Sequence, residues 1–250
     1  MKGDDELAAR IAQDAGRLLL DLRTTTEDPA VLKREGDARA NVLILDALRR
    51  ERPNDPVLSE ESADNRARLQ SQRVWIVDPL DGTREYSEKD RDDWAVHVAL
   101  AIDGVAAIGA VALPARDMVL STHPAPKLTP SNNGPIRLVV SRTRPPAVTE
   151  QLQQALDAEL VPMGSAGAKT MAIVLGDADV YAHAGGQYQW DSAAPVAVAR
   201  AAGLHTSRLD GSPLRYNESD PYLPDLLVCR PELADQVIEI ARSSGTANGP

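Results

Sequence analysis

Four apolar residues, Val74-Trp75-Ile76-Val77, run directly into Asp78-Pro79-Leu80-Asp81-Gly82-Thr83. A run so short, rich in β-branched and aromatic residues, reads as a buried strand. It is expected to stop at Asp78-Pro79, with Pro79 fixing one torsion and suiting the turn into a first helical position. In that geometry Asp78 and Asp81 can face one another and share a hard divalent cation, with the Leu80 carbonyl as a further oxygen ligand. Ligation by oxygen alone points to Mg²⁺, with Mn²⁺ as a substitute. Gly82 and Thr83 then offer backbone N–H groups at a helix start, where phosphate binds well.

The D-x-x-D spacing alone also fits an ordinary acidic turn, so other acids must join it. Glu60-Glu61 follow Val57-Leu58-Ser59 at a strand end and could bring a carboxylate to the same place, or be a solvated turn. Trp190-Asp191-Ser192 precedes an Ala-rich helix, where Asp191 is either a ligand or a plain N-cap. Partners are narrowed by composition. The chain has a net charge of −10, no Phe, three Trp and five Tyr, so it lacks the basic groove and stacking platforms of a nucleic-acid binder. Part of that acidity is explained if carboxylates hold cations. The single cysteine, Cys229, sits in an apolar stretch and suits a buried thiol in a reducing, cytoplasmic compartment. The acidic N-terminus does not read as a signal peptide. The longest apolar run, Val105 to Leu113, is too short for a bilayer span.

Periodicity predicts a helix over 4–23 and a second from near Asp37, carrying Val42, Leu45 and Leu48 inward until Pro53 ends it. Residues 94–102 and 105–113 flank Asp103-Gly104, a type I′ hairpin signal. Residues 1–122 therefore read as an α+β half, with two helices on one face of an antiparallel sheet. A Pro-rich linker is expected over 123–135. An α/β half follows at 136–250: strand 136–140, helix 149–160, helix 168–175, strand 180–182, helix 191–202 capped by Gly203, and a disordered tail, 243–250. His97, on an apolar strand, reads as a satisfied core residue.

Together the three motifs resemble the inositol monophosphatase and fructose-1,6-bisphosphatase superfamily, whose members carry a glutamate pair after an apolar strand, then W-x-[IV]-D-P-[IL]-D-G-T, then W-D and small residues. The resemblance covers roughly residues 5–230. It implies a layered αβαβα sugar-phosphatase fold of the α+β class, with the active site where the halves meet. It makes Glu60, Asp78, Asp81, Asp191 and the Leu80 carbonyl ligands of two Mg²⁺, with a third, weaker one as an option, and implies inhibition by lithium. Thr83 would hydrogen-bond the attacking water, oriented by Asp37. Relatives often read V-T-x-A-D before that aspartate, and this chain, with Lys33-Arg34-Glu35-Gly36-Asp37, lacks the threonine.

Within the superfamily, Arg84-Glu85-Tyr86, Gly164-Ser165-Ala166-Gly167-Ala168-Lys169 and Asp177-Ala178-Asp179-Val180-Tyr181 look most like the CysQ-type 3′-phosphoadenosine 5′-phosphate phosphatases. The implied partner is a small phosphorylated nucleotide, touched by Gly82, Thr83, Arg84, Arg142, Ser165, Lys169 and Asp191, with Arg144 a weaker candidate. The loop holds one residue more than its relatives. His183 stands where they usually carry an arginine. Lys169 could also be an exposed helix lysine. Inositol phosphate and fructose 1,6-bisphosphate stay open as substrates, as do a non-catalytic nucleotide sensor and a structural protein with acidic turns. A homodimer stays open too. Asp81→Asn is expected to abolish turnover and leave the fold intact.

Overall fold

A computed structural model describes residues 3–131, 134–143 and 145–243. Helix α1 (Asp4–Thr25) opens with Asp4, Asp5 and Glu6, which favour the positive end of the helix dipole, and buries Leu7, Ile11, Ala15 and Leu19 along one face. Helix α2 (Pro29–Glu51) begins well before Asp37, because the Asp28 side chain accepts from the N–H groups of Ala30 and Val31 and Pro29 fits the first turn. Its inward stripe is Leu32, Gly36, Ala40, Ile44 and Leu48. Val42 is 58% exposed and Leu45 only half-buried, so of the three expected core residues Leu48 alone is buried. The real stripe hides behind small residues: a Cβ on Gly36 would lie 2.8 Å from the Tyr86 ring.

The first sheet has the order β1-β2-β3-β4-β5, from strands Val57–Ser59, Arg73–Asp81, Ala95–Ile102, Val105–Leu113 and Met118–Ser121. All neighbours are antiparallel except β1 and β2, which run parallel, so the expected purely antiparallel sheet is corrected at its edge. The β3–β4 hairpin turns through Asp103 and Gly104, both with positive φ (50° and 76°), as its sequence requires. Strand β2 passes through Pro79 instead of stopping before it. The register against β3 shifts between Asp78 and Asp81, which is where a strand tolerates proline. Helix α3 (Thr83–Ser87) starts only after Gly82, so Pro79 is not its first residue.

The second sheet has the order β7-β6-β8-β10-β9, from β6 (Arg137–Ser141), β7 (Glu159–Met163), β8 (Val180–Tyr188), β9 (His205–Ser207) and β10 (Tyr222–Cys229). Helix α4 (Ala147–Leu156) ends at Asp157, left-handed at φ 48°, and the following residues form β7 rather than more helix. Helices α5 (Ala166–Leu175) and α6 (Gln189–Ala201) lie between the sheets, while α4 and α7 (Ala234–Ser243) pack on the outer face of the second. The layers therefore run αβαβα. Ser243 is the last residue of α7; the rest of the expected tail, and Arg144, lie outside the described residues.

One apolar core takes Ile76, Ala99 and Val111 from the first sheet, Met171 and Val196 from the middle helices, and Val139 and Val228 from the second. The Pro-rich segment is tied to it: the Thr129 N–H donates to the Val174 carbonyl, and Arg230 donates to Thr129 O. At the centre, β4 touches α6 through Gly109, where a Cβ would meet the Ala194 carbonyl at 2.6 Å and Ala197 Cβ at 2.9 Å. Backbone cannot swing aside as a side-chain tip can. Gly109→Ala is expected to cost about 1–3 kcal/mol, read as a melting temperature lower by roughly 3–10 °C.

Candidate active site

Three carboxylates converge where β2 ends and α6 begins. Asp78, Asp81 and Asp191 each offer an oxygen within 4.8 Å of the others. Burial, and then the charges of Glu60, Asp81 and Asp191, hold Asp78 well above the usual carboxylate range. Burial, and then Asp81, raise Asp191 to about 7. Asp191 is not the N-cap of α6: Tyr188 holds that position, and Asp191 sits in the first turn, its Oδ2 accepting from the Tyr188 N–H at 2.6 Å. Glu60 follows β1 directly and hydrogen-bonds the Asp78 carboxyl. It is raised to about 7, chiefly by burial.

Asp81 behaves in the opposite way. Although burial opposes it, the charge of the adjacent His97 and hydrogen bonds from Ser165 and the Gly167 N–H hold Asp81 at about 2. Its Oδ2 accepts from the Ser165 hydroxyl and from the Gly167 N–H at 2.7 Å, and Oδ1 from the Ala166 N–H at 3.2 Å. The carboxylate therefore anchors the N-terminus of α5 as well as facing the other acids. His97 is not a bland core residue. Its Nε2 stands 3.2 Å from Asp81 Oδ2, and its Nδ1 donates to the Trp190 carbonyl at 3.1 Å, linking two ligand-bearing segments.

Beside the cluster, the Thr83 hydroxyl lies 3.5 Å from Asp37 Oδ1 and 3.2 Å from the Leu80 carbonyl. The Leu80 N–H donates to Asp78 Oδ1 at 3.0 Å, which shapes the turn between the two aspartates. Burial, then the charge of Glu61, raises Asp37 to about 7. Asp37 thus reaches Thr83 without the usual threonine motif.

A cleft of about 320 Å³ opens over these groups. Gly82, Thr83, Arg84, Arg142, Ser165, Lys169 and Asp191 all line it. Their present engagements differ. Arg84 is exposed. Arg142 donates to Glu85 at 2.7 Å and Glu88 at 2.9 Å. Ser165 is buried, and its oxygen accepts from the Ala168 N–H while donating to Asp81, so it caps α5. Lys169 is buried rather than exposed, donates to the Gly164 carbonyl, and stands 5.2 Å from the Tyr181 ring centroid.

Sequence reasoning missed Asp93 and Gln187, and quoted Tyr181 only as part of a strand motif. Asp93 is buried, pairs with Arg91, and accepts from the Gly164 N–H at 2.6 Å, fastening the Gly164–Ser165 loop to the first sheet. In the sequence it is one of several acids in Asp90–Asp93, and nothing separates it from a solvated run. Tyr181 and Gln187 line the cleft from β8, whose length the short apolar signal at 180–182 understates.

An all-oxygen donor set crowded enough to repel itself fits a hard divalent cation. The outside comparisons agree in kind. A model of the inositol monophosphatase family matches residues 6–246. The chain is 55% identical to a 3′-phosphoadenosine 5′-phosphate phosphatase of Mycobacterium bovis, over 88% of this chain and 86% of that protein. It is 30% identical to the 3′(2′),5′-bisphosphate nucleotidase CysQ of Escherichia coli K12, over 86% and 94% respectively. The crystal structure of CysQ from Bacteroides thetaiotaomicron superposes with a TM-score of 0.77 at 26% identity, covering 91% of this chain and 97% of that one.

Proposed function

The chain belongs to the inositol monophosphatase family, and from that premise we propose that it hydrolyses the 3′-phosphate of 3′-phosphoadenosine 5′-phosphate. The carrying observation is the carboxylate triad of buried Asp78 and Asp81 and half-buried Asp191, two of which line a cleft that also holds Lys169 and Arg84. Glu60, Asp78, Asp81, Asp191 and the Leu80 carbonyl would hold two Mg²⁺, with a third, weaker one as an option and Mn²⁺ as a substitute. When bound, Mg²⁺ supplies positive charge to the phosphate oxygens and makes water more acidic.

The chain's own residues do the rest. Thr83, donating to Asp37, has a lone pair free to accept from the attacking water. As that proton moves to Thr83, the threonine's own proton passes to Asp37, whose raised affinity near neutrality suits a base. The N–H groups of Gly82 and Thr83 orient the reacting phosphate. Lys169 and Arg84 are the cations best placed for the substrate's second phosphate, since Arg142 already has two glutamate partners. The sulfated nucleotide carries the same 3′-phosphate and is proposed as a second substrate, which puts the enzyme in sulfur metabolism. A buried lone cysteine suits the cytoplasm. No helix among the described residues is long and apolar enough to cross a membrane.

Phosphate release in Mg²⁺ should be measured side by side from 3′-phosphoadenosine 5′-phosphate, inositol 1-phosphate and fructose 1,6-bisphosphate. The nucleotide is expected to win in kcat/KM by roughly a hundredfold or more. A sugar or inositol phosphate in first place would overturn the substrate and keep the hydrolytic site.

A further inference from the structure

Two residues that line the cleft each carry a buried acceptor atom with no hydrogen-bond partner among the described residues. The His183 Nε2–H donates to the Gly185 carbonyl at 2.7 Å, and since a carbonyl only accepts, this fixes the tautomer and leaves Nδ1 a bare lone pair. That Nδ1 is buried and has no hydrogen-bond partner among the described residues. Burial pushes the ring down to about 4, so it is uncharged at neutral pH. Gln187, 5% exposed, donates through its amide nitrogen to the Tyr181 hydroxyl at 2.8 Å, and its Oε1 is likewise buried without a partner. Both residues come from β8 and line the same cleft as Asp191 and Lys169.

An unpaired buried acceptor costs about 1–3 kcal/mol, and a ligand that brings a donor removes the cost. A phosphate cannot do so, because an anion facing two lone pairs is repelled. Arg84 and Lys169, two cations that line the cleft, are separate residues and suit that role.

We propose that His183 Nδ1 and Gln187 Oε1 form the nucleoside-reading subsite, accepting hydrogen bonds from an uncharged N–H or O–H donor of the substrate. This rests on the nucleotide assignment made above. Within a phosphoadenosine nucleotide that donor is the exocyclic amine of the base or the ribose 2′-hydroxyl. His183 carries the test, because a carbonyl fixes its tautomer, whereas an amide turned over would show the cleft an N–H.

The experiment measures kcat/KM of the Mg²⁺-loaded enzyme and of His183→Phe on three substrates. They are 3′-phosphoadenosine 5′-phosphate, its inosine analogue, in which a carbonyl replaces the amine, and its 2′-deoxy analogue. The wild type is expected to reject one analogue by roughly 10- to 100-fold, and the one rejected names the donor. His183→Phe should flatten that preference to within about threefold. His183→Asn, whose Oδ1 can stand in for Nδ1, should restore it. If the phenylalanine variant does not fold, His183→Ala makes the same comparison. Calorimetric binding of adenosine 5′-phosphate against inosine 5′-phosphate gives a readout independent of turnover when the base is the donor. The proposal falls if the wild type treats all three substrates alike, or if the variants lacking the acceptor keep its preference. Failure to cleave any of the three, with turnover of another phosphomonoester, would instead overturn the nucleotide assignment.

Discussion

Asp78→Asn is expected to lower kcat/KM by roughly a thousandfold or more, while raising the melting temperature of the metal-free protein at pH 8 by a few degrees. Asp78 is buried against Glu60, Asp81 and Asp191, so its charge is a liability whenever no cation is present. An asparagine keeps the shape, and its Oδ1 can still accept from the Leu80 N–H at 3.0 Å. Asp81→Asn should lose turnover too, but it should melt lower. The carboxylate accepts from Ser165, Ala166 and Gly167 on both of its oxygens, and an amide nitrogen placed there would face donors. Losing such charge-assisted bonds costs about 1.5–3 kcal/mol or more, so a melting temperature lower by roughly 5 °C is expected. The hydrogen bonds on Asp81 thus add a stability cost to the sequence-based expectation of an intact fold. Thermal melts and phosphate-release assays on the two variants decide the matter. Near-normal turnover in Asp78→Asn would sink the ligand assignment, and identical melts would sink the division of labour.

Without Mg²⁺, stability is expected to fall between pH 6.5 and 8. Asp37, Glu60 and Asp191 are each raised to about 7 in the folded chain, against 3.8 or 4.5 for ordinary carboxyls. The folded state then holds protons that the unfolded state has already released, so raising pH through this window favours unfolding. Carboxylates lowered by arginine partners, such as Asp4 and Asp179, stay ionised throughout and add no slope. His183, kept neutral by burial, has the opposite sign, but its contribution changes only below the unfolded value of 6.5. The net drop should be roughly 3–6 °C in melting temperature. Saturating Mg²⁺ should reverse it, stabilising far more at pH 8 than at pH 5.5, where protons compete for the ligands. Scanning fluorimetry in chelator and in Mg²⁺ measures both slopes. A metal-free protein steadier at pH 8 than at pH 6.5 would contradict the cluster.

Much of this site was legible, because chemistry that needs a turn between two acids leaves a local signature. Asp78, Leu80, Asp81, Gly82 and Thr83 sit within one short segment, and Trp190-Asp191 marks its own helix start. The Asp103-Gly104 hairpin was legible for the same reason. What was hidden depends on distant packing. The buried stripe of α2 runs over Gly36 and Ala40, which carry no hydrophobic signal. The parallel β1–β2 pair involves only three residues of β1, Val57–Ser59. His97 looked like filler on an apolar strand, because its partners, Asp81 and the Trp190 carbonyl, come from other segments. Asp93 was lost among neighbouring acids for want of its partner loop.

The double engagement of Asp81 bears on how such a chain can drift. Asp78 and Asp191 are crowded acids held above the usual carboxylate range and each accepts one local backbone hydrogen bond, whereas Asp81 holds a central helix to a central strand. Once selection for hydrolysis relaxed, replacements at Asp78 and Asp191 would spread readily and those at Asp81 would be purged. A descendant that had become a silent nucleotide receptor would be recognisable by a solitary surviving aspartate at the end of β2, a relic kept for architecture after the reaction had gone.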